Sequence, residues 1–136
     1  MSTIKTISIF SVLSLVLGCA IPVDRMSVKT SFLSAAGEDI SPNRIPQEEF
    51  TQADQIGFFT VMEWADVGEP AGLHEVTWKW YNNDRLVRVE KKEVEFSRTP
   101  YELWSYMRGE SLGSGKNKVE VYIDGKRVAS NKFSVN

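Results

Sequence analysis

The chain has 136 residues, of which 42% are hydrophobic and 25% are charged. This composition is typical of a globular protein with one domain, and it excludes an intrinsically disordered chain. With 16 Lys and Arg residues against 18 Asp and Glu residues, the net charge of -2 disfavours binding to a nucleic-acid backbone. One Cys and one His are too few for a disulfide framework, a zinc finger or a thiolate-held cluster.

The N-terminal residues 1–18 have the pattern of a secretory signal peptide. Lys5 is their only charged residue, and an apolar stretch over 7–17 follows it. That stretch has about eleven residues, whereas a membrane-spanning helix needs roughly 17–25. We therefore expect residues 1–18 to be an export signal, and a buried N-terminal helix of the domain is the alternative.

The end of this stretch, Val16-Leu17-Gly18-Cys19, resembles the lipobox of bacterial lipoproteins, although Val stands where Leu is commonest. In that family, the signal peptide is removed before the Cys, and the Cys sulfur receives a diacylglycerol group. The resemblance covers the first 19 residues and implies that Cys19 attaches the chain to membrane lipid. Because Ala20 follows the Cys where an Asp often retains a lipoprotein at the inner membrane, it further implies the periplasmic face of the outer membrane. A plain secretory signal with a chance Cys is the alternative.

Beyond the N-terminus, apolar and polar residues alternate with the period of two that is typical of β-strands. We predict strands over 26–33, 55–64, 73–81, 118–123 and 126–135, and two short strands or one bent strand within 86–96. Asn82-Asn83-Asp84 and Asp124-Gly125 are typical tight-turn sequences. We expect residues 19–25 to be a lipid-anchored tether, residues 26–136 to be the domain and residues 34–50 to be mostly loop.

One segment has helical rather than strand signals. Thr99, Pro100 and Glu102 have the spacing of a helix N-cap, a first-turn proline and a capping-box glutamate. Gly109 is a typical residue at a helix C-terminus. We predict a short helix near 100–108 that crosses between two sheets or over a sheet edge.

About seven short strands with frequent turns predict a mainly β fold, a small antiparallel β-sandwich with one short helix. The pattern resembles the immunoglobulin-like sandwich, without the Cys pair of antibody domains. The four Trp and seven Phe residues can fill a core of this size without crosslinks. A small antiparallel barrel is the alternative fold.

The sequence offers no catalytic constellation. His74 is the only imidazole, it shares a predicted strand face with Trp78 and Trp80, and no nucleophile elbow accompanies it. The carboxylates are numerous but have no spacing that indicates a catalytic pair or a metal site. We therefore expect a protein that is not an enzyme and has no catalytic residues, metal or cofactor.

Aromatic and basic residues are the candidates for binding. Tyr101, Trp104 and Arg108 give the predicted helix an aromatic surface, which instead packs over the end of the sandwich in the alternative interpretation. Arg88 and Lys91 belong to a basic run that could face lipid headgroups. The alternative is that this run protects an edge strand from pairing.

Together these features predict a lipid-anchored protein of the cell envelope. We expect it to bind another envelope protein, as an interaction or assembly accessory module, and not to bind nucleic acid. The alternative is a module that binds a glycan, a peptidoglycan fragment or a lipid, which requires an exposed aromatic platform or an apolar pocket.

Overall fold

The computed structural model describes residues 20–36 and 44–136, so the predicted signal peptide and Cys19 lie outside the described residues. Eight strands form almost all of the regular structure. They are β1 (Met26–Ala36), β2 (Glu49–Phe50), β3 (Gln55–Trp64), β4 (Gly72–Asn82), β5 (Arg85–Phe96), β6 (Tyr101–Arg108), β7 (Gly115–Ile123) and β8 (Lys126–Val135). A 3-10 turn (Val23–Arg25) precedes β1, and the helix α1 (Gly109–Leu112) follows β6. Among the described residues, no helix has the length and apolar character needed to cross a membrane.

The strands form two sheets packed face to face, which confirms the predicted mainly β sandwich. One sheet has the order β1-β3-β6, and the other has the order β2-β8-β7-β4-β5. Neighbouring strands are antiparallel except β2 and β8. The edge strands β5 and β6 lie on one side of the sandwich, where Ser105 Oγ donates a hydrogen bond of 2.7 Å to Glu90. On the other side, Ser31 Oγ of β1 donates a bond of 2.9 Å to Asn131 of β8.

Aromatic side chains fill the space between the sheets. Trp78 and Trp80, which the sequence places on the core face of one strand, are 1% and 0% exposed. The Trp80 ring meets Phe133 edge-on at 6.1 Å between centroids, and Trp64 meets Phe96 in the same way at 6.2 Å. The alternation in β3 and β4 therefore predicts correctly which face of each strand is buried.

Gly109 marks a place where two backbone segments touch. Its amide donates a hydrogen bond of 2.9 Å to the Asp54 carbonyl, and a Cβ at this position would lie 2.3 Å from the Thr51 carbonyl oxygen. Only glycine fits such a close approach, so Gly109 lets the chain pass close to this segment where β6 ends and α1 begins.

The predicted helix near 100–108 is wrong, because these residues form the strand β6 and the helix begins only at Gly109. Leu103, Ser105 and Met107 are buried, whereas the alternate residues Trp104 and Arg108 are exposed. The Thr99 hydroxyl accepts a hydrogen bond of 3.2 Å from the Trp64 amide instead of capping a helix. Pairing with β3 along the whole length of β6 thus outweighs the local helix signals.

The predicted tether is also incorrect in part, because residues 20–25 pack against the domain. Ile21 is 8% exposed and belongs to the core, and its amide donates a hydrogen bond of 2.9 Å to the Ala71 carbonyl. Asp24 forms an ion pair with Lys126 of β8. The packed domain therefore includes residues 20–25, which the sequence assigns to the tether.

Candidate functional site

His74 has a structural role. Its side chain is buried, Nδ1 lies 2.6 Å from an Asp124 carboxylate oxygen, and Nε2 lies 2.9 Å from the Ala71 carbonyl. Both ring nitrogens are therefore occupied in joining β4 to the β7–β8 turn and to the loop before β4. Within the described ranges, no group of three or more His, Cys, Asp or Glu side chains could hold a metal ion.

The five predicted binding residues do not form one surface. Arg88 pairs with Trp80 and so lies on the core side of β5, whereas Lys91 pairs with Thr77 and lies on the outer side. In β6, Trp104 and Arg108 point outward. Tyr101 is half-buried, with its ring 5.2 Å from that of Phe96.

The two free edges β5 and β6 border two shallow clefts. Tyr101 and Trp104 line one cleft of about 300 Å³, together with Lys92. Arg88 and Arg108 line a second cleft of about 500 Å³. The structure thus separates four of the five predicted residues into two pairs, and Lys91 lines neither cleft.

Two linked hydrogen bonds join the two sheets between these clefts. Trp80 Nε1 donates to Ser105 Oγ at 3.1 Å, and that hydroxyl donates to Glu90 at 2.7 Å. In the register of β5, the charged residues Arg88, Glu90 and Lys92 all lie opposite core residues of β4. Charges that point inward from an edge strand oppose pairing with another chain, which supports the protective interpretation of this basic run.

The outer side of the three-stranded sheet carries an aromatic face, which consists of Phe32, Phe59, Trp104 and Tyr106. The strand register places the first three in one row across the sheet. The Phe32 and Phe59 rings stack at 5.3 Å, and Tyr106 meets Phe59 edge-on at 5.9 Å. Phe59 is 2% exposed and Trp104 is 46% exposed, so the face has a buried centre and one accessible indole beside it.

Two further residues fix this aromatic face. The Arg44 guanidinium lies 4.0 Å from the Phe59 ring centre and pairs with Glu102 at 2.6 Å. A Cβ at Gly57 would lie 2.7 Å from a Phe59 ring carbon, so glycine gives the ring room to lie flat on the strand. The ring of Phe59 is therefore held in place before any partner arrives, which lowers the entropy cost of binding at this part of the face.

The outer side of the five-stranded sheet carries a different surface, centred on a buried carboxylate. Glu120 is 4% exposed, and its oxygens accept hydrogen bonds of 2.9 Å from the Tyr122 hydroxyl and from Arg127. Five cations lie on this side of the sheet, and we call them the basic face. They are Lys79, Lys91, Lys118, Arg127 and Lys132. Of these, Arg127 and Lys118 form ion pairs with Glu120.

The neighbours of Glu120 control its pKa. Burial alone raises the pKa of this carboxyl, but hydrogen bonds from Tyr122, Arg127 and Tyr81, with the charge of Lys118, outweigh it and hold the pKa below the usual value of 4.5. Burial and the same carboxylate raise the pKa of the Tyr81 and Tyr122 hydroxyls. The cluster is therefore most stable with Glu120 ionised and both tyrosines neutral.

We expect Glu120→Gln to lower the free energy of unfolding by about 1–2 kcal/mol at neutral pH, because the charged hydrogen bonds weaken. A lowered folded-state pKa stabilises the fold above the unfolded-state value and loses that contribution as the pH falls. The wild type should therefore lose stability below about pH 4.5 more steeply than Glu120→Gln. Urea unfolding at pH 7 and at acidic pH measures both effects, and Glu93→Gln on the exposed edge is the matched control.

The aromatic face and Glu120 are the features that sequence reasoning missed. The alternation in β7 assigns Val119, Val121 and Ile123 to the core, so it leaves Glu120 and Tyr122 on the outer side. The aromatic face has no such local signal. It depends on the register among β1, β3 and β6, which are far apart in the sequence.

Comparisons with solved structures show that the domain has an immunoglobulin-like fold. The chain is similar to an immunoglobulin-like protein from Pseudomonas aeruginosa, with 11% identity, a TM-score of 0.51, and coverage of 82% of this chain and 96% of that one. It is also similar to part of a Pseudomonas fluorescens alkylpurine DNA glycosylase, with 13% identity and a TM-score of 0.51. That match covers 90% of this chain and 32% of the glycosylase.

A β-glucosidase from intestinal bacteria gives a third match, with 8% identity and a TM-score of 0.51. It covers 82% of this chain and 16% of the glucosidase. No family model and no curated protein matches the chain. Likeness at these identities concerns the fold, and the proteins that share it differ in function.

Proposed function

We propose that the chain is a lipid-anchored protein of the cell envelope whose sandwich binds another envelope protein and assists the assembly of a complex, without catalysing a reaction. The observation that carries the binding role is the aromatic face, where Trp104 is 46% exposed and lies next to the buried Phe59 in the strand register. Trp, Tyr and Arg dominate the binding energy of protein interfaces, and this surface holds Trp104, Tyr106 and Arg44.

The anchoring role is supported by the sequence that ends at Cys19. An apolar stretch, a small residue and the only Cys of the chain stand there in the order of a lipobox. Several acyl chains on one Cys hold a protein firmly at a membrane, whereas one chain is marginal. With Ala20 after the Cys, we propose the periplasmic face of the outer membrane as its location.

Cys19→Ser removes the sulfur that would carry the lipid, so we expect the protein to leave the detergent phase and to lose its membrane attachment. Detergent partitioning and radiolabelled palmitate incorporation in intact cells measure this. Ser14→Ala, in the same leader, is the matched control and should keep the lipid. Partitioning that is unchanged by Cys19→Ser would contradict the anchor.

Capture of the lipidated chain from intact cells after chemical crosslinking tests the binding role. We expect one envelope protein in near-equal amount, and we expect its capture to depend on the aromatic face. A second candidate is a glycan ligand, because Tyr101 and Trp104 both line the cleft of about 300 Å³ and aromatic rings of this kind can stack on sugars. Recovery of no protein, together with glycan binding that Trp104→Ala abolishes, would replace the first proposal with the second.

A further inference from the structure

The described chain is packed against the sandwich from its first residue, Ala20. Ile21 is buried and bound to the Ala71 carbonyl, as described above. The Ala20 backbone touches the start of β4, since a Cβ on Gly72 would lie 3.0 Å from the Ala20 Cα. Consecutive Cα atoms are about 3.8 Å apart, so a lipid carried by the preceding Cys would be attached at this end of the sandwich.

The same end presents apolar side chains to solvent. Val67, in the loop between β3 and β4, is 75% exposed, and Leu73, at the start of β4, is 58% exposed. A hydrogen bond of 2.6 Å from Trp64 Nε1 to the Glu69 carbonyl holds that loop in place. Arg25 and Arg98 are exposed at this end and can meet phosphate headgroups.

We propose that this end of the sandwich, which we call the anchor end (Ala20, residues 65–73 and residues 97–100), rests directly on the bilayer interface and orients the domain. The inference rests on the proposed lipid anchor at Cys19. The acyl chains supply the attachment, and the absence of a free tether among the described residues brings the anchor end to the headgroups. Val67 and Leu73 then lie at the lipid boundary.

This orientation restricts where a partner can bind. β6 runs away from the anchor end, and Trp104 lies three residues along it from Tyr101, which is roughly 10 Å. The aromatic face would therefore stand close to the membrane surface. A partner that reaches it must itself lie at or near the bilayer.

A fluorescence experiment on the lipidated chain tests the orientation. The acylated chain has no free thiol, because Cys19 is its only Cys, so Val67→Cys and Asp84→Cys each create one labelling site. The Asp84 turn lies at the other end of the 11-residue strand β4, roughly 35 Å away. An environment-sensitive dye is attached at each site in vesicles of phosphatidylethanolamine and phosphatidylglycerol that contain a lipid-borne quencher.

We expect the dye at position 67 to be several-fold more quenched and blue-shifted than the dye at position 84. A flexible Gly-Ser insertion between Cys19 and Ala20 should remove that difference while the protein stays bound. The acyl mass is measured first: its absence refutes the proposed anchor and this inference with it. Full acylation with equal quenching at both positions refutes the orientation alone.

Discussion

We expect Trp80→Ala to lower the free energy of unfolding by about 3–5 kcal/mol. Trp80 is fully buried, and its ring packs edge-on against Phe133. Its indole N–H also begins the hydrogen-bond chain through Ser105 to Glu90 that joins the two sheets. The substitution therefore leaves a cavity and removes a buried donor from a linked network. Urea unfolding followed by circular dichroism measures the loss.

Trp104→Ala is the matched control, since it truncates the same residue type on the outer side of the other sheet. Because Trp104 is 46% exposed, we expect it to change the free energy of unfolding by no more than about 1 kcal/mol. Trp80→Phe keeps most of the ring volume and should cost less than Trp80→Ala. Equal losses in the two alanine variants would contradict the assignment of Trp80 to the core.

The second large effect concerns binding rather than stability. We expect Trp104→Ala to weaken capture of the envelope partner by about 30-fold or more, which corresponds to about 2 kcal/mol for a central aromatic anchor. The substitution leaves the ring of Phe59 unchanged, so the loss of capture measures the contribution of the exposed Trp104 indole to binding. Titration of captured partner against wild-type and variant chains in membranes gives the ratio.

Leu86→Ala is the control for this binding effect. Leu86 is another exposed apolar residue, at 48%, but it lies on the five-stranded sheet, at the end of β5 that is remote from the anchor end. We expect this variant to capture the partner as the wild type does. A loss caused by Leu86→Ala and spared by Trp104→Ala would show that the partner binds the five-stranded sheet instead.

Much of the fold could be predicted because strands with one buried face show it in their alternation. β3 has the bounds expected from the sequence, 55–64, and β4 extends the expected strand by one residue at each end. Within 86–96 the sequence predicts either two short strands or one bent strand, and the structure has the single strand β5 there. Charged residues such as Glu90 occupy the core side of β5, so this strand lacks the apolar alternation from which its length could have been predicted.

Two errors have physical causes that local sequence does not contain. The signals around Thr99 and Pro100 favour a helix, but the partner strand β3 lies about 40 residues earlier and its pairing decides the outcome. The local sequence assigns Ile21 to the tether, but in the folded domain its amide donates a hydrogen bond to the Ala71 carbonyl, directly before β4. In both segments, a distant part of the chain determines the local structure.

Of the predicted binding residues, only Trp104 belongs to the aromatic face. Arg88, Lys91, Trp104 and Arg108 are exposed and Tyr101 is half-buried, and the three on β6 lie on a strand and not on a helix. Arg88 and Lys91 were expected to share a strip, and their opposite faces follow from the register with β4. The role of the five residues in binding stays a prediction.

Photo-crosslinking in intact cells tests the central claim most directly. A photoreactive amino acid replaces Trp104 in one variant and the exposed Leu86 of β5 in another, and both variants keep Cys19. We expect one envelope protein to be crosslinked from position 104, with little or none from position 86. Equal adducts from both positions, or an adduct from position 86 alone, would contradict the claim that the aromatic face binds the partner.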